Sequence, residues 1–144
     1  MNPTSLTIDA SVAIKWFNKE PYREEALKIR AAHMDGTTTI HAPTLLVYEV
    51  CNALKHNPDY DEKSLTLALD ALHKIRINLK NPNRDQMANT VKYAYLYGLS
   101  AYDASYLACA EAAGNNLITA DEKLHGKAKE NRRVILLPEY KENK

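Results

Sequence analysis

The sequence has little glycine, little proline and few cysteines. Four glycines and six prolines in 144 residues are too few for flexible linkers or low-complexity tracts, and the length suits one compact domain. We therefore expect a single domain over residues 1–144. The two cysteines, Cys51 and Cys109, each lie among apolar residues at helical spacing. This setting predicts two buried free thiols in a reducing compartment.

Long apolar runs and a strong net charge are also missing. No stretch approaches the ~18 apolar residues of a membrane helix, and Asp9 and Lys15 interrupt the N-terminal apolar residues where a signal peptide would be continuous. We expect a cytoplasmic protein without a membrane segment. The net charge is +1, and a basic group near the C-terminus either contacts phosphates or is simply a solvated helix face. Its members are Lys123, Lys127, Lys129, Arg132 and Arg133.

Short β-branched or apolar runs alternate with helical patterns along the chain. The runs predict strands over residues 5–8, 37–42, 77–79, 116–119 and 134–137. The periodic segments predict helices over 11–17, 22–34, 44–56, 61–75, 84–98, 100–114 and 121–130. This alternation is typical of an α/β domain, here a three-layer α/β/α sandwich with a central, mainly parallel sheet.

Four carboxylates stand out because their sequence neighbours are apolar: Asp9, Glu49, Asp103 and Asp121. A carboxylate in such surroundings is costly to ionise unless a cation or a hydrogen-bond donor compensates it. Asp9 directly follows the first predicted strand, and Asp121 follows the fourth after one residue. Ligands of parallel sheets bind beyond the carboxyl ends of the strands, so both side chains should point into one crevice.

Each acid also has a simpler interpretation. Asp9 and Asp121 could cap the helices that they precede, and for either one alone a cap is as probable as catalysis. Asp103 could complement a helix dipole, which also explains Glu122, a candidate fifth acid. Glu49 lies in mid-helix among apolar residues and is the hardest to explain in this way. A shared cation accounts for all four acids together.

The donor atoms predict the kind of cation. The ligands would all be carboxylate oxygens, and the five histidines show no HxxxH or HxH spacing. This chemistry indicates Mg²⁺ or Mn²⁺ and argues against zinc. A divalent ion held by several carboxylates can position a phosphodiester and lower the pKa of a bound water. The sequence therefore predicts phosphodiester hydrolysis.

The order of the segments DASV, YEVCNAL, GLSAYDASYLACA and LITADEKL resembles the four-acid pattern of PIN domains, especially the VapC-type toxins of toxin-antitoxin pairs. The resemblance extends over about residues 6–137. It implies a PIN-like fold and a Mg²⁺- or Mn²⁺-dependent endoribonuclease that cleaves RNA. It also implies a cognate antitoxin, a homodimer, and a metal site formed by Asp9, Glu49, Asp103 and Asp121.

Three small polar residues match positions where the family carries groups that orient ligands or water: Ser11, Asn52 and Thr119. Asn52 lies three residues after Glu49 and so on the same face of the predicted helix. Ser11 and Thr119 could equally be an ordinary turn residue and an ordinary strand residue.

Three alternatives remain open. A solitary PIN nuclease in RNA processing would have the same site without an antitoxin. A phospho-accepting receiver domain expects adjacent acids after the first strand and a lysine after the last, where this chain has Asp9 alone and Pro138. A phosphatase with an aspartate nucleophile expects a DxD motif, where this chain has Asp9-Ala10-Ser11.

Overall fold

The computed structural model describes residues 4–142, and a five-stranded sheet forms its centre. The strand order is β3-β2-β1-β4-β5, and every neighbouring pair is parallel. The predicted α/β fold with a central parallel sheet is confirmed. The strands are β1 (Thr4–Ile8), β2 (Thr38–Pro43), β3 (Asn78–Lys80), β4 (Asn116–Thr119) and β5 (Val134–Leu136).

Seven helices flank the sheet over the described residues. They are α1 (Ala10–Ala13), α2 (Arg23–Met34), α3 (Leu45–Lys55), α4 (Glu62–Lys74), α5 (Arg84–Tyr97), α6 (Ala101–Ala113) and α7 (Glu122–Lys127). Two 3₁₀ turns, Ile14–Trp16 and Leu137–Glu139, complete the elements. No helix within residues 4–142 has both the length and the apolar character to cross a bilayer.

The boundaries differ from the predictions mainly near the ends of elements. The helix predicted over 11–17 is divided into α1 and the first 3₁₀ turn. The helix predicted over 121–130 ends at Lys127, where Gly126 lowers helix propensity in an already short element. The strand predicted over 134–137 ends one residue early, because Leu137 and Pro138 begin the second 3₁₀ turn.

The central strands are buried on both faces. Leu6, Ile8, Ile40, Leu117 and Ile118 are at most 2% exposed, as expected where helices cover a parallel sheet on both sides. Isoleucine and leucine side chains therefore fill the space between the sheet and the helix layers. The parallel pairing of β1 with β4 places the carboxyl ends of these two strands side by side.

Helix α6 lies deep in the structure between α5 and the sheet. Its start is capped by Ser100, whose hydroxyl accepts the backbone N–H of Asp103 at 3.0 Å. Its end is formed by Gly114, which has the left-handed φ of +71° that favours glycine. Cys109 on α6 is buried as predicted, whereas Cys51 on α3 is partly exposed, so the prediction of two buried thiols is wrong for Cys51.

Candidate active site

Asp9 occupies the carboxyl end of the central strand. The parallel register pairs Ile8 with Ile118, so the residues that follow them, Asp9 and Thr119, lie next to each other. The Asp9 side chain is only 5% exposed. Its Oδ1 accepts a hydrogen bond from Ser11 Oγ at 2.5 Å, and its Oδ2 accepts one from Thr119 Oγ1 at 2.5 Å. The structure thus brings two of the three predicted orienting residues onto Asp9.

Backbone amides set the direction of these hydroxyl groups. Ser11 Oγ accepts the N–H of Ala120 at 2.8 Å, and Thr119 Oγ1 accepts the N–H of Asp121 at 3.0 Å. Because each oxygen already accepts an N–H, its own hydrogen is available to donate to Asp9. Both hydroxyls therefore favour the ionised form of Asp9 and fix the plane of its carboxylate.

Burial nevertheless raises the pKa of Asp9 to about 6, because loss of solvation outweighs the two hydroxyl hydrogen bonds. The negative charge of Asp121 raises it further. An acid held in this way is ready to bind a positive charge, since a cation would offset both the burial and the repulsion.

Asp121 combines two roles. Its Oδ1 accepts the backbone N–H groups of Lys123 at 2.9 Å and Leu124 at 3.2 Å, so it caps α7 as one interpretation of the sequence expected. Its charge also raises the pKa of both Asp9 and Asp103, so the three acids interact electrostatically. Capping and membership of the acidic group are therefore compatible for this residue.

Asp103 lies in the first turn of α6 and is partly buried. Burial is the largest cause of its raised pKa, and the charge of Asp121 is the next. Ser100 and Lys127 act in the opposite direction. The Lys127 ammonium, which donates to the Gly98 carbonyl at 3.3 Å, therefore lies close enough to influence this acid.

Glu49 reaches the acidic group from the middle of α3. Its Oε1 accepts a hydrogen bond from the hydroxyl of Tyr106, a residue of α6 that is 1% exposed. The pKa of Tyr106 is raised well above its usual range, first by burial, then by Glu49 and by the charges of Asp9 and Asp103. Tyr106 therefore lies near three of the four predicted acids.

Tyr106 was not predicted from the sequence to be a site residue. A signal existed, since Tyr106 follows Asp103 by three residues and the two share a helix face. In an alanine-rich helix, however, a tyrosine at this spacing is typical of a core residue. Only the position of α3 shows that its hydroxyl meets a carboxylate.

Several other predicted residues lie apart from this group. Asn52 is exposed, and within residues 4–142 its side chain makes no hydrogen bond to any of the four acids. Glu122 is exposed in the first turn of α7. In the basic group, Arg133 donates to the Asn115 carbonyl at 2.8 Å and so supports the fold. The exposed members are Lys123, Lys127, Lys129 and Arg132.

The four acids lie near one another, but their carboxylates do not have the geometry of a metal-coordination site. Within the described chain, no three Asp, Glu, His or Cys side chains are arranged as a metal site. The carboxylate oxygens are turned instead toward Ser11, Thr119, Tyr106 and the first turn of α7. The donor chemistry still fits a hard divalent ion, because all four groups are carboxylates and the charge of Asp121 raises the pKa values of Asp9 and Asp103.

The fold is similar to several solved structures. PAE2754 from Pyrobaculum aerophilum is 23% identical, with 94% of this chain and 92% of that chain covered and a TM-score of 0.64. VapC20 from Mycobacterium tuberculosis, a sarcin-ricin loop cleaving toxin, is 14% identical, with 84% and 93% covered and a TM-score of 0.62. VapBC-1 from nontypeable Haemophilus influenzae is 15% identical, with 94% and 99% covered and a TM-score of 0.66.

A search of curated proteins by sequence found no significant match. A family model described as PIN domain, in contrast, matches residues 6–130, a segment that contains all four acids. That segment covers most of the chain, and the parallel sheet with acids at its carboxyl edge agrees with the match. The chain therefore belongs to the PIN domain family.

Proposed function

We propose that the protein is a metal-dependent endoribonuclease that hydrolyses RNA phosphodiesters and acts as the toxin of a toxin-antitoxin pair. The observation that carries this proposal is Asp9, a buried carboxylate at the carboxyl end of the central strand, whose pKa is raised by burial and by the charge of Asp121. Evolution rarely places an acid in such a position for stability alone, because its ionisation weakens the fold.

Asp9, Glu49, Asp103 and Asp121 would hold Mg²⁺ or Mn²⁺ in this function. When bound, the ion supplies activation of water and neutralisation of charge on the phosphodiester. Ser11 and Thr119 keep the Asp9 carboxylate in one orientation through their hydroxyl hydrogen bonds. Burial of Asp9 also keeps bulk water away from its oxygens, which strengthens its interaction with a positive charge.

RNA is the proposed substrate because the chain belongs to the PIN domain family and its structural relatives include a sarcin-ricin loop cleaving toxin. VapC20 is described as cleaving the sarcin-ricin loop. The exposed cations Lys123, Lys129 and Arg132 follow Asp121 along the chain and would bind backbone phosphates, with Lys127 beside Asp103. The family match favours this function over a receiver domain or an aspartate phosphatase.

A cognate antitoxin and a second copy of the chain are the proposed protein partners of this cytoplasmic nuclease. VapBC-1 supports the antitoxin, since that structure has the same fold over 94% of this chain. Exposed apolar side chains on α5 support the homodimer: Met87, Val91, Tyr95 and Leu96 are 43–88% exposed. If the neighbouring reading frame encodes no small partner, the solitary nuclease in RNA processing becomes the better proposal.

An RNA cleavage assay with and without excess EDTA, combined with Asp103→Asn, tests the nuclease proposal. EDTA should abolish cleavage. The variant should also lose cleavage and show a smaller rise in melting temperature with Mn²⁺, because it lacks one charged ligand. Without metal it should be as stable as the wild type or more so, since the repulsion by Asp121 is removed.

Asp35→Asn is the matched control, because Asp35 is an exposed acid whose Oδ1 accepts from Thr37, outside the acidic group. It should keep full activity and the full response to Mn²⁺. Undiminished cleavage in excess EDTA, or an Asp103→Asn variant that is active and responds fully to Mn²⁺, would contradict the proposal.

A further inference from the structure

A buried tyrosine connects two of the elements that carry acids. Tyr106 lies on α6, one turn after Asp103, and its hydroxyl donates to Glu49 on α3. The tyrosine is 1% exposed and belongs to the hydrophobic core, so its ring has little freedom to move. The hydroxyl is therefore a fixed donor at the edge of the acidic group.

Glu49 needs such a donor more than Asp9 and Asp121 do. Asp9 is held by two hydroxyls, and Asp121 is held by two backbone amides. Glu49 has a longer side chain, lies in the middle of a helix and is partly exposed. Without a partner it would sample several rotamers, most of them directed to solvent, and ordering it would cost conformational entropy.

One hydrogen bond leaves Glu49 able to act as a ligand. Tyr106 donates to Oε1, and a carboxylate has further acceptor positions on both oxygens. Tyr106 follows Asp103 by three residues on α6, and α6 packs against β1, the strand that precedes Asp9. The hydroxyl that holds Glu49 therefore lies on the helix face that carries Asp103.

We propose that Tyr106 is a positioning residue that orders the Glu49 carboxylate toward Asp9 and Asp103 and so raises the affinity of the site for a divalent cation. This inference rests on the proposed metal-dependent function. It assigns Tyr106 no contact with RNA or with the cation: the tyrosine acts through Glu49. Losing a residue that orients a ligand typically weakens metal binding about 10- to 100-fold.

The chain contains a matched pair that can serve as a control. Tyr93 on α5 is 6% exposed and donates to Glu111 Oε2 on α6 at 2.5 Å. This second Tyr–Glu hydrogen bond also joins two helices, but Glu111 is not one of the four acids. Replacing either tyrosine by phenylalanine removes one hydroxyl and leaves the ring in place.

The experiment measures Mn²⁺ affinity from the loss of the electron paramagnetic resonance signal of free Mn²⁺. The proteins are the wild type, Tyr106→Phe, Glu49→Ala, the double variant and Tyr93→Phe, each with its melting temperature and its RNA cleavage rate. Tyr106→Phe should bind Mn²⁺ about tenfold more weakly, and Tyr93→Phe should match the wild type. In the Glu49→Ala background, Tyr106→Phe should cause no further loss, because the ligand that it positions is gone.

Two results would overturn the inference while leaving the nuclease proposal intact. One is a Tyr106→Phe variant that binds Mn²⁺ as tightly as the wild type. The other is an equal loss of affinity in the presence and absence of Glu49, which would mean that Tyr106 acts through Asp9, Asp103 or the fold. A wild-type protein that cleaves RNA without binding Mn²⁺ would instead contradict the metal-dependent function, and the inference with it.

Discussion

Asp9 and Asp121 have almost the same sequence context and different surroundings in the structure. Each follows a strand of the sheet, β1 or β4, and each occupies the position before a helix. Asp121 accepts two amides of α7, whereas both oxygens of Asp9 accept hydroxyls from Ser11 and Thr119 within the described chain. The order strand, aspartate, helix therefore does not determine whether the aspartate caps the helix or is a buried charge.

The position of each acid relative to its strand explains the difference. β1 lies at the centre of the sheet, with β2 on one side and β4 on the other, so its carboxyl end is enclosed. β4 lies between β1 and β5, and Asp121 is one residue further from the end of its strand than Asp9 and only partly buried. Asp9 is consequently enclosed by polar groups of the adjacent loop, while Asp121 has room to turn back onto its own helix.

RNA cleavage should show the largest difference between the two acids. Asp9→Asn should lower the rate at least about a hundredfold, because a ligand lost outright costs no less than the 10- to 100-fold typical of a residue that orients one. Asp121→Asn should lower it by only about tenfold, since one oxygen already serves as a cap and asparagine keeps that oxygen.

Rates measured at saturating Mn²⁺ for both variants test this order. A larger loss for Asp121→Asn than for Asp9→Asn would show that the residue at the open end of the sheet is the principal acid. The prediction that the more buried acid contributes more to cleavage would then be wrong.

The pH dependence of stability should show the next largest difference. The pKa of Asp9 is about 6 in the fold against 3.8 for the free side chain, so the native state binds more protons between those values. The free energy of unfolding of the metal-free protein should therefore fall as pH rises from about 4 to 6, by about 3 kcal/mol from this group, at ~1.4 kcal/mol per pKa unit. This destabilisation is fully present above pH 6 and absent below pH 4.

Asp9→Asn should remove that fall, since asparagine does not ionise. Denaturant unfolding of both proteins at several pH values in EDTA gives the difference directly. Comparing the two proteins cancels the exposed acids Asp35 and Asp61, whose lowered pKa values favour stability at higher pH. Parallel pH curves for wild type and variant would mean that Asp9 ionises as freely in the fold as in the unfolded chain.

Much of this arrangement could be predicted from the sequence, because it follows from periodicity and strand order. The parallel sheet, the placement of Asp9 directly after β1 and the cap of α6 by Ser100 all follow from local patterns. The proximity of Ser11 and Thr119 to the acids was predicted through the family resemblance, and the structure adds the atoms that they contact.

The rest depends on how helices pack, which periodicity does not determine. Asn52 follows Glu49 by three residues, a spacing that predicts a shared helix face, yet its side chain is exposed whereas Glu49 is partly buried. To predict the role of Tyr106, one would need to know which side of α6 faces Glu49 on α3. The choice between cap and buried charge at Asp9 and Asp121 likewise depends on strand neighbours, which a linear sequence does not display.

The smallest expected difference concerns the cap itself. Asp121→Ala removes both the charge and the acceptor of the Lys123 and Leu124 amides, whereas Asp121→Asn removes the charge alone. The difference in free energy of unfolding between the two variants is the contribution of the cap, which should be about 1 kcal/mol in the metal-free protein. At Asp9 the difference between alanine and asparagine should instead reflect the Ser11 and Thr119 hydroxyls, which alanine leaves without their acceptor.

Asp61 provides the reference for an exposed helix cap outside the site, since its side chain accepts the Ser64 N–H at the start of α4. Urea unfolding of the alanine and asparagine variants at all three positions, in EDTA at pH 7, makes the comparison. The difference in free energy of unfolding between the alanine and asparagine variants should be similar at Asp121 and Asp61. Asparagine alone should stabilise the protein at position 121 but not at position 61, because the charge of Asp121 repels Asp9 and Asp103. If Asp121→Asn is no more stable than the wild type, solvent already screens the repulsion among the acids, and Asp121 is only a helix cap close to the site.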